Sequence, residues 1–170
     1  MDARLAIASK RDVRDYSDRQ VPAEARGRIL DAGRVAGSGR NSQRWRFMVL
    51  DDPEVRERVA RVSTSAGNLR RAPFVVAIAI HGTGLSPFDA GRAAQNMMLA
   101  AWNEGIVSCP TGLRDPDAAG AALPLEEGER LLVLLCFAYP ARPRDPERRS
   151  ADEWSRRAPR RPLDEVSRIV

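Results

Sequence analysis

The chain has 170 residues, 43% of them hydrophobic and 30% charged, with a net charge of +5 and a pI near 10.2. That length gives room for one real core, the composition is that of a globular protein, and no apolar run approaches the roughly 20 residues of a membrane span. The basic balance suits nucleic acid, but the arginines alternate with acids, as in Glu54-Val55-Arg56-Glu57-Arg58. That is the pattern of a solvated helix face, and no nucleic-acid motif accompanies it, so neither nucleic acid nor membrane is an expected partner.

A short helix is expected before Lys10. Lys10-Arg11-Asp12-Val13-Arg14 then places three cations within five positions. Val21-Pro22 opens a second helix, in which Ala25, Ile29, Ala32 and Ala36 recur at helical spacing. Gly37 and Gly39 stop it. The loop Gly37-Ser38-Gly39-Arg40-Asn41-Ser42-Gln43-Arg44-Trp45 combines small residues, an amide pair and an aromatic. Such a loop can bring backbone N–H groups to a flat, polar-edged ligand; the same composition also suits an ordinary turn. Trp45 to Leu50 reads as a strand, and Asp52-Pro53 opens a charged helix carrying Val55, Val59 and Val62.

Phe74 to Ile80 is uninterruptedly apolar, which predicts a central strand buried on both faces. A helix follows from about Ser86-Pro87 to Glu104, with Ala90, Ala94, Met97, Met98, Ala101 and Trp102 on one side; its methionines read as core filling. Cys109-Pro110-Thr111-Gly112-Leu113 reads as a loop. Asp115-Pro116-Asp117 starts an Ala-rich helix, and Leu131 to Phe137 is a second buried strand. Pro140 to Pro162, rich in Pro and Arg, reads as extended and surface-bound, with Trp154 and the apolar end Leu163 to Val170 docking it. Taken alone, Arg160 and Arg161 belong to a solvated basic tail.

Cys109 and Cys136 form no metal or redox motif. The single histidine, His81, gives little support to a histidine metal site or a Ser-His-Asp triad, and reads as a strand-end residue. No metal is expected. The N-terminus lacks the regions of a signal peptide, which makes a cytoplasmic location with reduced thiols the expectation.

Five of these pieces, in this order, resemble the nitroreductase family of flavoproteins. Lys10-Arg11-Asp12-Val13-Arg14 is similar to its basic opening motif, and Ser38 to Trp45 to its amide-rich loop. Ala72-Pro73 before Phe74-Val75-Val76 matches, as do Gln95-Asn96-Met97-Met98-Leu99-Ala100-Ala101 ending at Gly105, and Arg160-Arg161-Pro162-Leu163. There are departures. Gly37 and Arg44 stand where members usually have proline, which leaves the loop less pre-set in φ. Asp12 stands where many have serine, and its carboxylate is expected to turn from a phosphate toward a neighbouring arginine. The insertions of longer members are missing.

The resemblance implies an α+β (α/β) fold with a central, mostly antiparallel sheet flanked by helices. It implies one domain over 1–170, with 140–170 an extended C-terminal arm exchanged in a homodimer. It implies FMN as cofactor. Lys10, Arg160 and Arg161 would grip the phosphate, with Arg11 and Asp12 in the same motif. Arg14 would sit beside the N1–C2=O edge of the ring. Gly37, Ser38, Gly39 and Asn41 belong to the loop that reaches the flavin from the partner subunit, and Thr111 and Gly112 to the segment beside N5. Arg14, Thr111 and Gly112 are therefore the catalytic candidates. The implied activity is ping-pong: NADH or NADPH reduces the flavin, then a nitro, quinone or related electron-poor small molecule takes the electrons. Other readings are a flavin-fragmenting enzyme that makes dimethylbenzimidazole, a dehalogenase, a dehydrogenase of cyclised peptides, and a non-enzymatic flavin store or sensor.

Overall fold

Phe74–His81 forms strand β2, in which every residue but the last is buried. The computed structural model describes residues 1–170. β2 lies inside a four-stranded antiparallel sheet of order β1-β2-β4-β3, with β1 Trp45–Val49, β3 Val107–Thr111 and β4 Glu129–Ala138. Successive side chains of a strand point to opposite faces, and β2 is apolar on both. Phe74, Val76, Ile78 and Ile80 pack toward helices α2 (Ala23–Arg34) and α5 (Ser86–Asn103). Val75 and Ala77 pack on the other face, among residues of α3 (Pro53–Arg61), α4 (Ala66–Arg71) and α6 (Pro116–Ala121). Each fully buried Leu, Ile, Val or Phe contributes roughly 1.5–3 kcal/mol. Between Ile78 and Ala79 the β2–β4 register shifts, so Leu132 is an extra residue on β4. This bulge turns both Leu132 and Val133 toward the α2/α5 face.

The helix starts follow local chemistry. Asp52 accepts from the Glu54 and Val55 amides at the head of α3, and Asp115 from Ala118 at the head of α6, each followed by proline. α2 and α5 approach closely through Gly33, where a Cβ would lie 2.2 Å from Met97 Cε.

The chain divides into two compact units, 11–144, which holds the sheet, and 1–10 together with 145–170. In the second, α1 (Ala3–Ser9) packs on α7 (Ala151–Arg156), with Arg4 Nη2 2.5 Å from Asp152 Oδ1. Ser150 and Glu153 cap α7 reciprocally. The stretch expected to be extended thus carries α7 and a short turn, α8, at Leu163–Val166. The reason is this local capping, which composition hides. Trp154 does dock, on its own neighbourhood: its indole N–H donates to Pro146 O at 2.7 Å, and the Arg149 guanidinium lies 5.1 Å from its ring.

Candidate functional site

The opening motif runs along the outer edge of the sheet. Asp12 bridges Ser108 of β3, and the Val13 amide donates to Ser108 O at 3.1 Å. Arg11, Asp12 and Arg14 therefore share an edge with β3, whose last residue is Thr111. Gly112 follows, its carbonyl held by the Thr64 amide at 2.9 Å and hydroxyl at 3.2 Å. Thr111 is strand rather than loop, a correction with a clear cause. Pro110 argues against a strand by sequence, because it cannot donate to a ladder. Ser108, two residues earlier, turns its backbone away from β4 toward Val13, so Pro110 needs no N–H on the β4 side.

Arg14 is exposed and makes no ion pair with Asp15 or Asp18; its carbonyl accepts from Arg71 at 3.3 Å. The Tyr16 hydroxyl is buried without a hydrogen-bond partner, as is Ser108 Oγ. Burial pushes the Tyr16 phenol above its ordinary range, the nearby Cys136 and Cys109 add to this, and Arg14 and Arg71 partly oppose it. Tyr16 stays neutral. Cys109 faces Cys136 across β3 and β4, and both are buried free thiols. Burial pushes Cys136 up to about 12.

The loop before β1 is bound mainly to itself and to α5. Asn41 N donates to Ser38 O, Ser42 N to Gly39 O, Gln43 N to Ser38 Oγ at 2.9 Å, and Gly39 N to the Asp89 carboxylate at 3.1 Å. These four amides are spent inside the fold, so the expected presentation of backbone N–H groups to a ligand does not hold for them. What the loop offers is side chains. Arg40, Asn41 and Gln43 all have positive φ (55°, 54° and 47°), a strained state that clusters at functional segments. At Gly37 an added Cβ would lie 2.6 Å from Arg92 Nη2, the movable end of a half-exposed side chain, so the space there does not itself demand glycine.

The sheet order separates the predicted residues. Ser38, Gly39 and Asn41 lead into β1 at one edge, and Arg11, Asp12 and Arg14 flank β3 at the other. Three strand spacings make about 14 Å. Lys10, Arg160 and Arg161 belong to the unit of the two termini; Lys10 caps α1, donating its amide to Ala6 O, and Arg160 and Arg161 are exposed. Arg71 and Asn68 of α4 were missed by sequence reasoning. Asn68 is buried and its amide reaches Cys109 Sγ at 3.7 Å, while Arg71 holds the Arg14 carbonyl.

With this geometry in place, the comparisons assign the family. The nitroreductase family model matches residues 7–66 and 61–139, and the chain belongs to that family. A relative named NADH dehydrogenase/NAD(P)H nitroreductase, from Methanothermobacter thermautotrophicus, is 30% identical over 118 residues. The match covers 66% of this chain and 62% of the relative, so the chain spans less than two thirds of that protein's length. A crystal structure of a nitroreductase family protein from Clostridium difficile 630 superposes with a TM-score of 0.82 at 23% identity, covering 99% of this chain and 98% of that one. A structure named as an FMN-dependent nitroreductase from Clostridium difficile R20291 gives 0.74 at 23% identity, over 82% and 88% of the two chains. The fold is nitroreductase-like, with its four-stranded antiparallel sheet flanked by helices. No helix is long and apolar enough to cross a membrane.

Proposed function

We propose that this chain is an FMN-dependent oxidoreductase that uses NADH or NADPH to reduce nitro, quinone or related electron-poor small molecules by a ping-pong route. The observation that carries this reading is the separation of the family's two half-sites, the Arg11–Arg14 motif and the Ser38–Asn41 loop, to opposite edges of one sheet. Strands three spacings apart, about 14 Å, place the two segments far apart for one flavin ring within a single chain. Two copies, each lending its loop to the other's ring, satisfy the arrangement, and a homodimer is part of the proposal. The exposed Phe88 in the first turn of α5 supports such a contact. In that dimer the segment 140–170 would embrace the partner subunit, its exposed Leu163, Val166 and Ile169 finding cover there.

The donor set fits FMN. Lys10, Arg11, Arg160 and Arg161 are cations suited to a phosphate dianion, and two buried hydroxyls beside the motif, Tyr16 and Ser108, still lack partners. The flavin, when bound, supplies hydride acceptance and donation. The chain's residues do the rest. Arg14, free of ion pairs, places positive charge where the reduced ring becomes anionic and so raises its potential. Thr111 and Gly112, fixed by Thr64, provide a rigid backbone edge for orienting the ring. Gly37, Ser38, Gly39 and Asn41 line the site from the partner. Tyr16 remains protonated and moves no proton. No side chain is needed as a general base for this reduction.

The purified protein is expected to be yellow or to turn yellow with added FMN, to elute as a dimer, and to lose its visible flavin band on anaerobic NADH or NADPH. A colourless monomer without affinity for FMN refutes the reading. Flavin that binds and is never reduced by either nicotinamide leaves a storage protein instead.

A further inference from the structure

The backbone donors of the loop before β1 are spent internally, yet two of its guanidinium groups are not. The side chains of Arg40 and Arg44 have no hydrogen-bond or ion-pair partner in the chain. Both line a recess of about 280 Å³ together with Thr83, Leu85, Ser86 and Asp89. Asp89 is the only acid there, and it is occupied: it accepts from the Gly39 amide and lies 3.7 Å from Arg92. The lining carries two unpaired cations against one engaged carboxylate.

Arginines elsewhere show what an occupied set looks like. A larger cavity, about 610 Å³, is bordered by Arg26, Arg56, Arg70 and Arg71. There Arg26 binds Val21 O, Pro73 O and Asp51, Arg56 binds Leu50 O and Ala72 O, and Arg70 forms a two-point pair with Glu57. Arg71 donates to Arg14 O. Those guanidiniums tie the fold together. The recess at the loop, by contrast, has two neighbouring guanidiniums with donors free for an incoming acceptor, and charge-assisted bonds to a carboxylate or phosphate are the strongest use of them.

We propose that this recess is an oxyanion subsite, in which Arg40 and Arg44 hold the carboxylate or phosphate of a molecule undergoing the reaction. This rests on the function proposed above, because the same loop is the one read as facing the partner's flavin. The volume admits a carboxylated aromatic ring, or the phosphate end of a dinucleotide but not the whole of it. Leu85, 67% exposed, adds an apolar wall for a ring. Arg44, standing where proline is expected, is the residue that brings this selectivity to the chain.

Binding is measured first, because it does not depend on turnover. The protein as purified is titrated calorimetrically with 4-nitrobenzoate and with 2′,5′-ADP, each beside its less charged counterpart, 4-nitrobenzyl alcohol and 5′-AMP. At least one anion is expected to bind more tightly than its counterpart. The double variant R40Q/R44Q is expected to weaken that anion about tenfold or more and leave the counterpart unchanged. R58Q, an exposed arginine on α3, serves as control and is expected to change nothing. Loss of 4-nitrobenzoate identifies an acidic acceptor; loss of 2′,5′-ADP identifies the extra phosphate of NADPH. Equal binding within both pairs, or a preference that survives in R40Q/R44Q, overturns the proposal. Anion binding that depends on these arginines in a protein that takes no flavin sinks the proposed function and keeps the subsite.

Discussion

Two glycines on one helix test whether the α2–α5 contact is as tight as described. Gly27 and Gly33 both lie within α2, where glycine costs about 0.8–1 kcal/mol relative to alanine. Around Gly27 an added Cβ meets nothing within 4 Å. G27A is therefore expected to stabilise by about 0.5–1 kcal/mol, the helical gain alone. At Gly33 the same methyl would lie 2.2 Å from Met97 Cε, 2.9 Å from Met97 Cγ and 3.1 Å from Phe47 Cζ. Met97 is fully buried in the core and has little space to retreat. Overpacking of this kind costs about 1–3 kcal/mol, which outweighs the helical gain at the Cγ contact. G33A is expected to destabilise by about 1 kcal/mol net. For a chain of this length 1 kcal/mol moves Tm by about 2–4 °C, so the two variants should shift in opposite directions, separated by several degrees. Differential scanning calorimetry of the two single variants reads this directly. A G33A protein that melts as high as G27A would refute the close packing of α2 on α5.

Two further outcomes follow from buried and paired groups. Burial holds the Cys136 thiol up to about 12, and Cys109 is equally inaccessible, so Ellman's reagent at mildly alkaline pH should label neither until urea unfolds the chain; rapid native labelling contradicts the core placement. Hydrogen bonds from Arg70 and Arg61 hold the Glu57 carboxyl down to about 2, against an ordinary value of 4.5. A depressed carboxyl contributes stability that is present above its unfolded value and lost as pH falls through the folded one. The Tm difference between wild type and E57Q should therefore be small at neutral pH, because the pair is exposed, and should vanish as pH approaches about 2; a gap that widens in acid contradicts the pairing.

The long periodic elements were legible in the sequence. Phe74–His81 announced a central strand through seven apolar residues in a row, and Asp52-Pro53 and Asp115-Pro116 marked helix starts that the structure caps with those same carboxylates. The short elements were not. α4 has six residues and no apolar repeat, and it forms between Ser65 and Ala72 with Asn68 and Leu69 buried by the neighbouring layers. β3 hid behind Pro110, whose missing N–H matters only once the pairing side is known. α7 hid in a Pro- and Arg-rich stretch because its capping box, Ser150 and Glu153, is a two-residue signal.

The candidate site divides in the same way. The family resemblance, rather than local pattern, nominated the candidate residues: the cations at 10, 11 and 14, the small-residue loop, and the pair Arg160-Arg161. Local pattern cannot fix distance, because partners on a sheet are set by strand order rather than by sequence separation. Tertiary structure decided that Asp12 lies against Ser108, that the loop's amides are consumed by Ser38, Gly39 and Asp89, and that the basic motif and the small-residue loop stand at opposite sheet edges. It also decided which arginines remain unpaired. Every guanidinium looks alike in a sequence, and only the folded chain brings carbonyls and carboxylates to Arg26, Arg56 and Arg70 while leaving Arg40 and Arg44 without them.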